Sequence, residues 1–126
     1  MSFWKERKIT RSTFGDKRSN SVCLVLVTSP RGRAAERLAR GLIQENLAAC
    51  VNRLPVDSTY RWQGKIETAK ESLLLIKTTF GRFPHLQRYV RSHHPYTVPE
   101  IIALPVTRGW ARYLEWVCAS VSSVKG

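Results

Sequence analysis

A chain of 126 residues with 43% hydrophobic content is the size of one domain, long enough for its own core and too short for two. No apolar run approaches the length of a bilayer-crossing helix, and the N-terminus has no signal-peptide core. The formal charge of +12 and the pI near 10.4 bring nucleic acid or an anionic surface into view. However, the arginines are strewn along the chain and form no basic block interleaved with aromatics, which argues for a solvated surface.

Residues 1–20 are polar and basic, with Lys5, Arg7, Lys8, Arg11, Lys17 and Arg18 against Glu6 and Asp16. They read as a disordered leader, and 21–126 as the folded domain. An Arg- and Ser-rich N-terminus is also the mark of a transit peptide, so organellar targeting is the alternative to a cytoplasmic protein. Cys23, Cys50 and Cys118 are odd in number, widely spaced and set among apolar residues, without a C-x-x-C pair. They are expected to be reduced, buried thiols of a cytosol-like compartment, neither a disulfide framework nor a structural zinc site.

The unbroken apolar run Val22–Val27 predicts a strand covered on both faces. Thr28 or Ser29 is then expected to cap a helix, with Pro30 in its first turn. Ala35, Ala39, Ile43 and Leu47, widened by Leu38 and Leu42, form the stripe of an amphipathic helix over about 31–47. Pro55 marks the next segment as an edge strand or a bulge. Gln63 and Gly64 suit a two-residue hairpin turn, which would set Trp62 opposite Lys65 and Tyr60 opposite Glu67. The returning strand ends in the apolar run Leu73–Ile76. The hairpin tip is too polar to be buried on both sides, and its two aromatics ask for a partner, best supplied by an oligomer contact.

Pro84 opens a second helix with Phe83, Leu86 and Val90 on its core face, and Pro95 stops it. PEIIALPV is a fourth strand, marked as an edge by Pro99 and Pro105. Trp110, Tyr113, Leu114, Val117, Cys118 and Val121 recur at helical spacing and predict a last helix. The order β-α-β-β-α-β is the α+β, ferredoxin-like sandwich: an antiparallel four-stranded sheet under two helices, here with an extra C-terminal helix. The two apolar runs would be its central strands and the proline-marked segments its edges.

This fold does not set a function. An RNA-recognition domain stacks bases on aromatics of its middle strands, and neither VCLVLV nor SLLLIK carries one. A nucleophile–base pair of Cys50 and His93 has no accompanying oxyanion feature, phosphate loop or paired acids, so Cys50 is read as a structural thiol and no enzyme is expected.

TSP, LAAC, YRWQGKIE, LLLIKTT, SHHPYTVPEIIALPV and YLEWV, in that order, resemble the CutA family of divalent-cation tolerance proteins from about Ser21 to Val121. The most specific of them is SHHPY-x-x-PE. The resemblance implies a tight homotrimer, similar in architecture to the PII signalling proteins, whose long hairpin packs on a neighbouring subunit. It implies tolerance of copper and other divalent cations without enzymatic activity. It also implies a metal site at His93 and His94, and a subunit interface or cleft at Tyr60, Trp62, Lys77, Tyr96 and Glu100. The family's third copper ligand, a cysteine late in the first strand, is Val27 here, and Cys23 lies four residues earlier, about 13 Å away at strand rise. Two imidazoles without a thiolate make a weaker, less selective copper site. As side chains of a fold, His93 would continue the Leu86–Val90 stripe, half-buried, and His94 would meet the dipole at the helix end. His85, after Pro84, is read as a surface histidine. The second reading is a PII-like sensor or scaffold that binds a small anion or a protein partner and has no metal role.

Overall fold

The computed structural model describes residues 19–122, so most of the basic leader lies outside the described residues. The elements are β1 (Val22–Pro30), α1 (Arg33–Gln44), β2 (Cys50–Trp62), β3 (Lys65–Thr79), α2 (Phe83–His93), β4 (Ile101–Pro105) and α3 (Ala111–Ser122). The four strands form one antiparallel sheet in the order β2-β3-β1-β4, as the ferredoxin-like reading requires. The strands with apolar runs are central, and those marked by proline are the edges.

Along β1, Cys23, Val25, Val27 and Ser29 are wholly buried and share one face, as strand alternation dictates. Leu74 and Ile76 continue that face on β3, and Leu38 and Leu42 of α1 with Leu86 and Val90 of α2 close over it. Wholly buried leucines such as Leu42, Leu74 and Leu86 stabilise this layer by about 1.5–3 kcal/mol each.

Entry into α1 differs from the expected cap. β1 runs on through Ser29 and Pro30 because β3 extends opposite them, with Ser29 beside Ser72 and Pro30 beside Glu71. The turn falls instead at Gly32, whose φ of 85° suits glycine, and no side chain caps the helix. The helix also ends before 47. Asn46 takes the left-handed conformation, its amide donates to the Ile43 carbonyl, and the Leu47 amide reaches back to Leu42. That pair of bonds is the Schellman ending, and Leu42 and Leu47 complete it in the core. Ile43, still within the helix, faces outward at 42% exposure, so the buried stripe is Ala35, Leu38, Ala39 and Leu42.

Gly41 lies where α1 meets α2. A Cβ there would come within 2.8 Å of the Tyr89 ring, so glycine is what lets Tyr89 cross the helix. The Gln63–Gly64 turn has φ of 51° and 79°, and pairs Trp62 with Lys65 and Tyr60 with Glu67 as expected. β2 and the first half of β3 project beyond β1, which pairs with β3 only from Glu71 to Thr79.

The expectation that the central strands are covered on both faces is corrected. On the face away from α1 and α2 the register aligns Leu24 and Leu26 with Leu75, Ile102 and Leu104, and sets Leu54 beside Leu73. α3 packs against β3 and β1 and buries Val117 and Val121, which belong outside the main core cluster. Leu24, Leu26, Leu73 and Leu75 remain only half-buried, and Ile102 and Leu104 are 46% and 43% exposed. Two helices close the first face, whereas α3 covers only part of the second, which stays partly open within a single chain.

The cysteines also differ from one another. Cys23 alone is wholly buried, and desolvation pushes its thiol from 9.0 up to about 12. Cys50 and Cys118 are partly exposed because they lie at the sheet's edge strand and on α3. The Cys118 thiol donates to the Asn20 carbonyl at 3.1 Å, and its pKa too is raised by burial.

Candidate functional site

The two histidines part company at the end of α2. His94 precedes Pro95, whose ring disfavours helical geometry at the residue before it. His94 therefore leaves the helix at φ −95° and ψ 140°. That swings its side chain inward, where it is 9% exposed, while His93 stays on the helix surface. The expectation of a half-buried His93 and an outlying His94 is reversed, and the proline is the cause.

The partners follow from this split. His94 Nε2 lies 2.7 Å from the Thr28 carbonyl, and the Tyr96 amide lies 3.0 Å from His94 Nδ1. A carbonyl only accepts and an amide N–H only donates, so the two contacts together specify the neutral imidazole with its proton on Nε2. Both nitrogens of His94 are spent on backbone, and what they hold is the loop that runs from α2 to β4. His93 stacks on Tyr89 at a ring distance of 3.9 Å, and its Nδ1 lies 2.8 Å from the Tyr89 carbonyl. Among the described residues, nothing bonds its Nε2.

Val27, at the position of the missing cysteine, is a wholly buried core residue beside Leu74 and Ile101. Among the described residues, no group of three or more histidine, cysteine or acidic side chains could together hold a metal ion. Among the described residues, then, no three-ligand copper cage is assembled, and His93 Nε2 is one ring nitrogen without a partner there.

The loop that His94 anchors forms one wall of a cavity of about 490 Å³ at the end of the sheet. Tyr60, Trp62, Tyr96 and Glu100 line it together, joined by Thr28, Ser58 and Glu71. Tyr96 donates its hydroxyl to Glu71 Oε2 at 2.7 Å. Desolvation pushes the Tyr96 phenol up to about 12, helped by the bond to Glu71 and the charge behind it. Lys77 is not part of this cavity. Its amine contacts Asn52 Oδ1 and lies 4.0 Å from Cys50 Sγ, on the body of the sheet. Tyr113 of α3 also meets Cys50 there, and its hydroxyl pKa is raised, chiefly by burial.

Glu71 and Thr28 escaped the reading of the sequence, yet a signal for Glu71 was present. Residues 71, 73 and 75 share one strand face, so an acid two positions before Leu73 enters an apolar surface. Arg31 supports the same corner. Its guanidinium donates to the carbonyls of Glu71 and Val56 at 3.1 and 3.2 Å and lies 3.9 Å from Asp57.

Comparison with known proteins places this geometry. The family model described as CutA1 divalent ion tolerance protein matches residues 23–120. A divalent-cation tolerance protein CutA of Thermus thermophilus is 50% identical over 95 residues, 75% of this chain and 92% of that protein. The human protein CutA is 47% identical over 105 residues, 82% of this chain but 59% of its own length. The Arabidopsis thaliana protein CutA, named chloroplastic, is 46% identical, with 75% of this chain and 52% of that protein covered. The chain thus spans little more than half the length of these animal and plant relatives. Among solved structures, CutA from Xylella fastidiosa superposes with a TM-score of 0.79 at 45% identity, over 81% of this chain and 99% of that one. The matching family is described by divalent ion tolerance, and no helix among the described residues is long and apolar enough to cross a membrane. A β-α-β-β-α-β sheet, a proline-set SHHPY corner and a sequence match across nearly all of the folded part lead to one statement: this chain belongs to the CutA1 divalent ion tolerance family.

Proposed function

We propose that this protein acts in tolerance of divalent cations, copper foremost, as a cytoplasmic homotrimer that binds metal weakly and has no catalytic turnover. The observation that carries the assembly is the incompletely covered sheet face of Leu24, Leu26, Leu54, Leu73, Leu75, Ile102 and Leu104. Contiguous apolar surface of this kind marks an interaction site, and burying each leucine on a neighbour contributes about 1.5–3 kcal/mol. The projecting hairpin adds Ile66, which is 70% exposed. For the metal, the Nε2 of His93, unbonded among the described residues, supports copper binding, with remaining ligands drawn from solvent or a neighbouring subunit. His94 joins only by giving up its bonds to Thr28 and Tyr96. Calorimetric titration with copper is expected to show weak binding that His93→Ala removes; unchanged binding in a His93→Ala, His94→Ala double variant would overturn the histidine site.

The second reading, a PII-like anion sensor, is favoured by one feature. A shallow cavity of about 460 Å³ is lined by Arg31, Gly32 and Arg53, beside the uncapped start of α1. A thermal shift with phosphorylated metabolites and none with divalent metal would support it over the metal reading.

A further inference from the structure

The cavity behind the SHHPY corner has a charge unlike that of the chain around it. The protein carries a formal +12, yet no lysine or arginine lines this cavity, and two glutamates do. Tyr60, Trp62 and Tyr96 supply three aromatic rings to the same walls.

Glu71 is the unusual member. The residue is only 6% exposed, and it reaches the wall of the cavity. One oxygen accepts the Tyr96 hydroxyl, and among the described residues no hydrogen bond reaches the other. Arg31, the nearest cationic side chain in the hydrogen-bond network, gives its protons to the Glu71 and Val56 carbonyls and its charge to Asp57. Two carboxylates on a concave wall, with no cationic side chain among its described lining residues, concentrate negative potential there and favour a bound cation.

The wall chemistry selects among cations. A divalent metal holds its water and prefers several oxygen or nitrogen ligands, which this corner does not assemble. Aromatic rings with one or two carboxylates suit a bulky, weakly hydrated ammonium group, attracted to the ring quadrupoles. The volume lies within the range of small-molecule pockets. We propose that this cavity binds a small organic ammonium cation, with Glu71 and Glu100 supplying the charge and Tyr60, Trp62 and Tyr96 the aromatic surround. The site makes no use of His93, on which the metal reading rests, although His94 anchors the loop that forms one of its walls.

The test uses the full-length, assembled protein, titrated with choline chloride and with tetramethylammonium chloride. Sodium chloride and magnesium chloride at matched ionic strength serve as the comparison. Heat of binding and the indole proton resonance of Trp62 are followed together. Saturable binding of both ammonium salts is expected, with a shifted Trp62 signal and no such response to sodium or magnesium. Glu71→Gln, which keeps the bond from Tyr96, is expected to weaken binding about tenfold, and Trp62→Leu about fivefold. Sedimentation verifies that each variant keeps the assembly of the parent protein, and if Glu71→Gln fails to fold, Trp62→Leu decides alone. Absence of saturable binding overturns the proposal, whether the cavity is too weak or a neighbouring subunit fills it. So does binding that Glu71→Gln leaves unchanged, or a Trp62 response to magnesium alone.

Discussion

Removing the His94 side chain tests how the SHHPY corner is built. His94 makes two neutral hydrogen bonds, at 2.7 Å to the Thr28 carbonyl and at 3.0 Å from the Tyr96 amide. Each contributes about 1 kcal/mol net, and each leaves behind a part-buried backbone group whose desolvation is then incompletely compensated. His94→Ala is therefore expected to cost about 2–4 kcal/mol, well above a typical substitution. His93 is exposed and loses only a stack on Tyr89 and one bond within its own helix. His93→Ala should cost about 1 kcal/mol or less. Guanidinium unfolding of both variants, at one fixed protein concentration because assembly couples to stability, measures the difference. If His94→Ala is no more destabilised than His93→Ala, the structural role given to His94 is wrong.

Three further outcomes are expected. Leu26→Asp puts a charge in the middle of the incompletely covered sheet face and should dissociate the assembly to single chains while circular dichroism stays folded; an unchanged mass would remove this face from the interface. Gly41→Ala drives a methyl into the Tyr89 ring and should cost about 1–3 kcal/mol, read as a lower denaturant midpoint, whereas an unchanged midpoint would mean Tyr89 yields freely. Cys23, whose thiol is raised from 9.0 to about 12 in the fold, binds its proton more tightly folded than unfolded. Its contribution to stability is therefore full below about pH 9 and is lost as pH rises from there toward 12, at up to about 1.4 kcal/mol per pH unit. Cys23→Ala should flatten that alkaline limb, and an equally steep limb in the variant would assign it to other groups.

Much of the fold was legible because its signals are local and mutually consistent. Val22–Val27 and Leu73–Ile76 mark the central strands, Pro55 and Pro105 lie on the edge strands, and Gln63–Gly64 sets the register that pairs Tyr60 with Glu67. The errors fall where a tertiary partner decides. Ser29 and Pro30 look like a helix start until Ser72 and Glu71 are placed opposite them. The apolar run of β1 reads as doubly covered, but which face a helix covers is not written in one strand. At the candidate site the motif was visible and its geometry was not. The His94–Pro95 peptide carries the reason for the inward turn, through the steric rule for residues before proline, yet the stripe of Leu86 and Val90 drew the reading toward His93. Glu71 is half legible: its alternation with Leu73 and Leu75 puts an acid on an apolar strand face, but its burial depends on the loop that His94 ties down, with Tyr96 lying 25 residues further along the chain.

The central claim is that the incompletely covered sheet face is closed by copies of the same chain. Sedimentation equilibrium on the wild-type protein at micromolar concentration tests it most directly. A single species at three times the 14.4 kDa chain mass is the predicted result, and a species at the mass of one chain would contradict it.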